Sequence, residues 1–363
     1  MYITFLIGNG FDIGLGLKTR YEDFYKKYCV VTEQDNINIS SFKLMLSERN
    51  NDKDSQIIDW ADFEKAFGAH SRDFTIETKD LYIERFEDFV SKFNAYLEAE
   101  EANLDYSQED LIADTMRKAV TTYYHIRNAD KIEIEKTYNN IQGKRYYQFI
   151  SFNYTRTADT CAQILAKKLS SDSNREVGTV SHIHGYIDAN MIMGVNDPSQ
   201  IANEELRSDP DIVSEIVKPQ QNVESRTNYE ADVESAINRS HIICVYGMSL
   251  GATDKKWWNY ISHWLAANAS RKLVILKYDT NYNIRFTHSQ RKVTNGVVSS
   301  FLSYSDLPDN KKTEILPRIY IGVNHNVFSM NLRKSDEEKN DDAPMLDELH
   351  KRMSKYLTPN LVG

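Results

Sequence analysis

The first 24 residues combine an apolar strand with a glycine-rich turn, and this combination restricts the fold more than any other stretch. The run YITFLI at 2–7 has almost no polar alternation, which is typical of a central strand buried on both faces of a parallel sheet. Four of the 14 glycines of the chain follow closely: Gly8, Gly10, Gly14 and Gly16. Such a cluster at the end of a strand indicates a loop, here 8–16, in which the backbone approaches another group closely.

This loop is expected to lead into a helix, because Thr19 and Glu22 have the spacing of a capping box. A strand, a glycine loop and a helix in this order present backbone N–H groups to an anion, as in doubly wound nucleotide-binding folds. Asn9 and Asp12 are expected to lie where a bound ribose would be. A loop that only packs a helix against the sheet is the simpler alternative.

The glycine pattern is not that of an ordinary dehydrogenase. Its spacing, G-x-G-x-x-x-G, is one residue longer than the usual dinucleotide fingerprint. In addition, no acidic residue clearly ends a second strand about 20 residues later. A dehydrogenase is therefore ranked below other nucleotide-binding proteins.

Charge and cysteine content exclude further classes. The net charge of −9 and the pI near 5.6 argue against a protein that mainly grips nucleic acid. Cys29, Cys161 and Cys244 are an odd number without a CxxC pair, so no disulfide framework or zinc ribbon is expected. No signal peptide and no apolar run near the ~20 residues of a membrane span is recognised, so we expect a cytoplasmic protein without a membrane partner.

The pattern along the chain predicts one α/β domain interrupted by helices. Residues 57–141 have helical apolar spacing without strands, which indicates a helical insertion that covers a sheet edge, forms a lid or makes an oligomer surface. Residues 30–56 are expected to be a loop with one short helix. The predicted parts are 1–56 for the start of the α/β domain, 57–141 for the insertion, 142–330 for the rest of the domain, and 331–363 for a charged segment and a final helix.

Polar residues follow a second apolar strand at 146–154. Asn153 lies at its carboxyl end, before a predicted helix at 157–169. Ligands of open α/β sheets bind outside the carboxyl ends of the strands, so Asn153 is a candidate ligand contact. Taken alone, however, Asn153 is better explained as a helix cap or a turn residue, which are common roles of asparagine.

A short strand at 179–185 ends in the sequence HIHG. His182 and His184 would point the same way, as in an H-x-H metal pair, but the only nearby acidic residue is Asp188. We favour His184 as a general base, because a histidine before a glycine at a strand end suits that role. A hydrogen-bonded structural histidine is the alternative.

The sequence then predicts a second unit of strand, glycines and helix. A strand over 241–250 leads to Gly247, Ser249 and Gly251, and Asp254 opens a helix. Before it, we expect a strand at 191–197, a mobile polar segment at 198–228 and a helix at 228–239. Later strands are expected at 272–278 and 319–323.

The order of these motifs resembles the Sir2-like superfamily: the loop at 8–16, FNY at 152–154, HG at 184–185 and GMSLGATD at 247–254. The opening block LIGNGFDIGLGLKTRYEDF more narrowly resembles the bacteriophage abortive infection protein AbiH family. This resemblance runs through most of the chain apart from the helical insertion.

The resemblance implies a Rossmann-like (Sir2-like) doubly wound parallel sheet with NAD at its carboxyl edge. By position, Asn153 matches the residue beside the nicotinamide ribose and His184 the catalytic histidine. The positions that match cofactor contacts are Gly8, Asn9, Gly10 and Phe11 at the pyrophosphate, with Asp12 beside them, and Gly247 and Ser249 on the adenosine side. The four-cysteine zinc module of the deacylases is missing, so we expect no zinc and no protein deacylation.

The function implied by the resemblance is antiphage defence by abortive infection. NAD would be a substrate, hydrolysed to ADP-ribose and nicotinamide when a phage-derived trigger acts. The helical insertion and the segment 198–228 are the candidates for this control, and a homo-oligomer is a separate expectation. Two alternatives stay open. One is a sensor that binds an adenine nucleotide without turnover, and the other is a metal-dependent nuclease or nucleotide hydrolase using Asp12, Asp188, Asp197 or Asp254.

Overall fold

The computed structural model describes residues 1–51, 63–187, 189–226 and 229–334. Within these ranges six strands form one sheet, and every neighbouring pair is parallel. The strands are β1 (Tyr2–Ile7), β2 (Arg145–Ser151), β3 (Arg175–His182), β4 (Ile242–Tyr246), β5 (Lys272–Lys277) and β6 (Ile319–Val323). The predicted parallel α/β sheet is therefore confirmed.

The strand order is β3-β2-β1-β4-β5-β6, which is the order of dinucleotide-binding doubly wound sheets and is compatible with a Rossmann-like fold. The chain moves outward from β1 in one direction and, after β3, returns to the other side of β1. The ends of β1 and β4 therefore form the switch point of the sheet. A crevice is expected there, because the connections after these two strands leave in opposite directions.

Helices cover both faces of the sheet and build a separate helical core. In the described ranges they are α1 (Gly10–Leu15), α2 (Tyr21–Tyr28), α3 (Ile37–Asn51), α4 (Phe63–His70), α5 (Lys79–Glu101), α6 (Glu109–Thr122), α7 (Asn128–Asn140), α8 (Thr157–Leu169), α9 (Pro210–Ile216), α10 (Lys218–Glu224), α11 (Tyr229–Arg239), α12 (Lys255–Ala267), α13 (Thr287–Ser303) and α14 (Asp309–Ile315). None of the described helices is both long and apolar enough to cross a lipid bilayer.

Alternate side chains of the central strands enter two different cores. Phe5 of β1 packs on one face with residues of α6 and α8, whereas Leu6 packs on the other face with residues of α11 and α12. Both side chains are fully buried. Burial on both sides explains why β1 is a continuous apolar run rather than an alternating one.

A third core contains no residue of the sheet strands; it is built mainly from helices and is rich in aromatic rings. Phe24 of α2, Phe63 of α4 and Phe89 of α5 lie in it, together with buried residues of α9. Residues of α6, by contrast, pack on the sheet beside Phe5. The structure thus divides the predicted insertion 57–141 between two cores, and the aromatic one also includes α2 and α3, which precede it. The start of this insertion, 57–62, lies outside the described residues.

Two predicted segments between β3 and β4 are wrong. Residues 191–197 form no strand; Val195 makes only an isolated bridge to Val217. The segment 198–228 is not a loose polar stretch, because it contains α9 and α10 and its apolar residues are buried. Those residues are Ile201, Leu206, Ile212 and Ile216. They are spaced too irregularly for one helix or strand, so periodicity did not show that they pack into the aromatic core.

The predicted capping box is also wrong. Helix α2 begins at Tyr21, its N-cap is Arg20, and no side chain caps it. Thr19 instead hydrogen-bonds through its hydroxyl to the side-chain oxygen of Asn9. In the predicted loop 30–56, α3 is longer than expected, because Phe42 and Leu46 anchor it in the aromatic core.

The predicted glycine loop 8–16 is mostly helix. Only Gly8 and Asn9 connect β1 to α1, and α1 starts at Gly10. A Cβ atom on Gly10 would lie 2.5 Å from Gly247 Cα, so α1 and the turn after β4 touch backbone to backbone. Gly247 itself has φ +68°, a left-handed conformation that favours glycine. Gly10 and Gly247 thus determine how closely the first strand–glycine–helix unit packs against the second.

The chain after β6 passes against α1 and completes the first face of the sheet. Met330 N–H donates to Gly14 O at 3.0 Å, and Leu332 N–H donates to Leu15 O at 2.9 Å. Phe328 packs edge-on against Phe5. The segment after 330 therefore starts as part of the core, while the predicted C-terminal helix lies in 335–363, outside the described residues.

Replacing Gly10 with alanine should destabilise the fold, because the added Cβ would overlap backbone atoms that cannot rotate away. We expect Gly10→Ala to lower the free energy of unfolding by about 1–3 kcal/mol, as other overpacking substitutions do. Gly14→Ala in the same helix is the matched control, since its Cβ would be 3.6 Å from the nearest atom, Ser329 Cα. Urea unfolding of both variants checks this; equal stability of the two would contradict it.

Asp12 ties α1 to the turn between β2 and α8. Its carboxylate accepts hydrogen bonds from Thr155 Oγ1 at 2.7 Å and from Thr157 Oγ1 at 2.6 Å. The side chain is 1% exposed. Burial, only partly offset by the threonine hydroxyls, raises the pKa of Asp12 to about 6. The folded protein therefore holds this proton over a pH range in which the unfolded chain has lost it.

This pKa makes stability depend on pH in a defined direction. A carboxyl whose pKa is raised on folding contributes stability at low pH that is lost as the pH rises through the folded pKa. Relative to Asp12→Asn, wild type should lose about 1 kcal/mol of unfolding free energy between about pH 5 and about pH 7.5. Urea unfolding of both proteins across this range is the measurement. A stability difference that does not change with pH would show that Asp12 is not shifted.

Candidate functional site

A cavity of about 200 Å³ lies at the switch point, outside the carboxyl ends of β1, β2 and β4. Gly8 and Asn9 line it from the end of β1, and residues 152–155 line it from the end of β2. The turn 247–249 contributes from the end of β4. Three of the four motifs that the sequence singled out therefore meet in one place, as parallel strands require.

The helical core forms another wall of this cavity. Tyr21 of α2 and Phe93 and Leu97 of α5 line it together with Phe152 and Tyr154. Aromatic rings thus face the polar strand ends, as expected for a site that holds a planar ring beside a sugar. A lid in this region was one role expected for the helical insertion. Tyr21, Phe93 and Leu97 could not be recognised as cavity residues, because their helical spacing is equally typical of a core.

Asn153 lines the cavity and is held by its neighbours. Its side-chain amide donates to Gly8 O at 3.1 Å, and its backbone N–H donates to Ser151 Oγ at 3.1 Å. The residue is 7% exposed. These bonds fix its side chain between the ends of β1 and β2, which is the placement that the sequence predicted for a ligand contact.

Asn9 is held by Thr19 on both sides of its amide. Its Nδ2 donates to Thr19 O at 3.0 Å, and its Oδ1 accepts from the Thr19 hydroxyl. Asn9 and Thr19 both line the cavity. The side chain of Asn9 is therefore oriented before any ligand binds.

The backbone amides of the glycine turn already have partners. Gly8 N–H donates to Tyr246 O at 3.0 Å, Gly10 N–H donates to Gly247 O at 2.8 Å, and Phe11 N–H donates to Gly8 O at 2.8 Å. These donors are not free to hold a pyrophosphate in this structure. Phe11 is fully buried, and neither it nor Gly10 is among the described residues that line the cavity.

His184 lies behind the cavity wall rather than in it. Its ring is 6.0 Å from the ring of Phe152 and 6.2 Å from that of Tyr154, centroid to centroid. Its Nε2 is 3.7 Å from Asp254 Oδ1, and Asp254 lines the cavity. Burial, and next the positive charge of Lys218, lower the pKa of His184 below its ordinary value of 6.5. His184 is therefore neutral at pH 7.

A buried ion pair stands next to His184. Lys218 Nζ donates to Glu64 Oε2 at 2.7 Å, and both side chains are less than one tenth exposed. The hydroxyl of Tyr154 lies 3.3 Å from Glu64 Oε1. Glu64 belongs to α4 and Lys218 to α10, so this pair joins the helical core to the cavity wall at Tyr154. No sequence pattern predicts this ion pair, because 154 positions separate the two partners.

His182 has a structural environment. Its Nε2 is 2.7 Å from Asp159 Oδ2, its Nδ1 is 3.3 Å from Asn153 O, and its ring packs on Tyr186. The two histidines of the HIHG motif thus have different carboxylate neighbours, and they do not form the H-x-H metal pair that the sequence raised. Of the acidic residues considered for metal binding, Asp188 lies outside the described residues.

In the described part of the chain, no three His, Cys, Asp or Glu side chains are grouped as metal ligands. Asp12 is occupied by two threonines, and Asp197 accepts from Ser199 N–H at 2.8 Å at the start of a short helical turn. The carboxylate of Asp254 has its Oδ1 3.7 Å from Nε2 of His184.

Comparison with known proteins identifies the family of the chain. A search among curated proteins finds no match. The sequence model of the family described as "Bacteriophage abortive infection AbiH" matches residues 4–276, about three quarters of the chain. The match includes β1, the helical core, and the cavity residues from the ends of β1, β2 and β4. The resemblance of the opening block is thereby confirmed, and the chain belongs to the bacteriophage abortive infection AbiH family.

Proposed function

We propose that this chain, whose family supports a role in phage abortive infection, acts by hydrolysing NAD to ADP-ribose and nicotinamide. The observation that carries the proposal is the cavity at the switch point of a sheet with dinucleotide-binding strand order. An oriented amide, a carboxylate and aromatic rings line it together. A reaction at a glycosidic carbon needs these three kinds of group.

The reaction breaks the bond between nicotinamide and its ribose and joins the sugar to a hydroxyl from water, with release of a proton. Its transition state resembles an oxocarbenium ion and carries positive charge on the sugar. The carboxylate of Asp254 would stabilise that charge from the cavity wall. The amide of Asn153, fixed by Gly8 O, would position the ribose.

The proton of the attacking water is assigned to the pair of His184 and Asp254. The Nε2 to Oδ1 distance of 3.7 Å is longer than a hydrogen bond, but catalytic contacts of unliganded enzymes often tighten on binding. Neutral His184 is able to accept a proton, whereas a charged one is not. His184 therefore acts as the base that the resemblance implies, working through the carboxylate that faces the cavity.

The cavity has room for only part of the dinucleotide. A volume of about 200 Å³ is below the usual ~300–1,000 Å³ of sites for drug-sized ligands. The nicotinamide riboside half would fill it, with its planar ring against the aromatic wall. Because the amides of Gly8 and Gly10 are engaged, side chains such as Asn9 and Ser249 are the proposed contacts to the rest of the molecule.

A sensor that binds a nucleotide without turnover is the second candidate. The observation that favours it is the position of His184, which is separated from the cavity by Asp254 and the rings of Phe152 and Tyr154. In a sensor the ion pair of Glu64 and Lys218 would carry the bound state to the helical core. Nucleotide binding with no nicotinamide release, with or without phage lysate, would favour this candidate.

Nicotinamide release from NAD by the purified protein, with and without lysate of infected cells, tests the proposal. We expect Asp254→Asn and Asn153→Ala to lower kcat at least about 100-fold, because each removes a group that contacts the reacting sugar. Asn174→Ala, an exposed residue before β3 at the opposite edge of the sheet, is the control and should keep wild-type activity. Undiminished release by the isosteric Asp254→Asn variant, with its fold intact by circular dichroism, would overturn the mechanism.

The activity should depend on pH in the direction set by His184. A base works in its neutral form, and the pKa of His184 is lowered, so kcat/KM should stay level from about pH 8 down to about pH 6.5 and fall only below that. His184→Gln should show lower activity without this acidic limb. If kcat/KM of the wild type already falls above pH 6.5 as the pH is lowered, another group is the base.

A further inference from the structure

A second cavity, of about 690 Å³, lies beyond the ends of β4 and β5 and against α13. Ser249 lines both this cavity and the smaller one at the switch point. The two cavities are therefore neighbours along the carboxyl edge of the sheet. Their combined length runs from β2 to β5, across the place where a sheet of this order binds two linked nucleotides.

The second cavity has cationic side chains that no described residue neutralises. Lys277, the last residue of β5, and Lys292 of α13 both line it, and neither amino group has a hydrogen bond or ion pair within the described part of the chain. One carboxylate, Asp279, also lines it, and its Oδ1 accepts the N–H of Asn281 at 2.8 Å. With two lysines and one aspartate, the side chains that line the cavity have a positive net charge, although the net charge of the whole chain is −9.

A glycine in the middle of α13 faces the same cavity. Gly296 lies ten residues into a 17-residue helix, where glycine is less favourable than alanine. A Cβ atom built on it would meet no atom within 4 Å, so packing inside the described chain does not require glycine there. The missing side chain leaves space that belongs to the cavity. A ligand that lies against the helix backbone would account for it.

We propose that this cavity binds an adenosine that carries a phosphate monoester on its ribose, so that the chain favours NADP over NAD. This rests on the proposed function for the choice of a dinucleotide. With the nicotinamide riboside in the smaller cavity, the diphosphate would lie beside the end of β4, at Ser249, which lines both cavities. Lys277 ends β5, one strand further out, and Lys292 of α13 lines the same larger cavity. At about 4.8 Å per strand, they are placed to meet the adenosine ribose and not the diphosphate.

The proposed ligand would contact the two lysines with its phosphate and one side of α13 with its adenosine. Lys277 and Lys292 would each donate to oxygens of the ribose phosphate, and Gly296 would let the adenosine lie close to α13. Val293 and Val297, one turn apart on α13 and both lining the cavity, give an apolar surface for the base. Charge on the phosphate and shape at the helix are thus separate contributions, which separate variants can test.

Binding of three probes to the full-length protein tests this without any turnover. The probes are adenosine, adenosine 5′-diphosphate and adenosine 2′-monophosphate, measured by calorimetry. We expect the 2′-monophosphate to bind at least about tenfold more tightly than adenosine, and Lys277→Gln and Lys292→Gln each to weaken it about three- to tenfold while leaving adenosine unchanged. Lys118→Gln, an exposed lysine of α6, is the control and should leave all three affinities unchanged.

Gly296→Ala separates a loss of binding from a loss of folding, because the two effects are expected in opposite directions. The substitution should raise the unfolding temperature, because alanine favours helix, and yet weaken both adenosine and its 2′-monophosphate at least about threefold. Equal affinities for adenosine and its 2′-monophosphate in wild type would overturn the proposal. So would tighter binding of the 5′-diphosphate that depends on the two lysines, because it would assign them to the diphosphate.

The outcome also separates this inference from the proposed function. Selective binding of the 2′-monophosphate by a protein that releases no nicotinamide from either dinucleotide would refute the hydrolase and support the site. Equal hydrolysis of NAD and NADP, unchanged in Lys277→Gln and Lys292→Gln, would support the hydrolase and refute the site.

Discussion

The contact between Gly10 and Gly247 is the constraint on which the rest of the structure depends. It brings the turn after β4 against the start of α1, and Gly10 N–H bonds to Gly247 O at 2.8 Å. Since β1 and β4 are neighbours in the sheet, this contact closes one side of the switch point and leaves the cavity on the other, toward β2. Glycines that suggested phosphate binding in the sequence thus have a demonstrable packing role, which places the side chains of Asn9, Asn153 and Asp254.

Much of the sheet could be predicted from sequence because its strands are buried on both faces. The helix at 157–169 and the strand at 319–323 have the predicted bounds, and the apolar run at 2–7 is β1. Parallel strands end at one edge, so the meeting of residues near 8, 153 and 247 followed from the topology. The segment 198–228 could not be predicted, since its buried residues belong to short helices and turns whose partners are distant in sequence. Similarly, His184 had to be seen beside Asp254 before its separation from the cavity was known.

The site combines two environments with opposite electrostatic character. Around the switch point, burial opposes charge: the pKa of Asp12 is raised to about 6 and that of His184 is lowered. Along β5 and α13, the amino groups of Lys277 and Lys292 have no hydrogen bond or ion pair among the described residues. A ligand with a neutral or cationic ring at one end and phosphates at the other would match both environments.

The buried ion pair of Glu64 and Lys218 affects how the protein unfolds. Separating α4 from α10 would leave each charge in an apolar surrounding without its counter-ion, which typically costs about 3–5 kcal/mol. The Tyr154 hydroxyl lies 3.3 Å from Glu64 Oε1 and joins this ion pair to the segment that follows β2. The aromatic helical core therefore resists opening independently of the sheet, although it has its own apolar interior. Amides of α4 and of β1 should then exchange with solvent deuterium through one shared unfolding event. Any movement of the aromatic helical core is therefore expected to include the cavity wall at Tyr154.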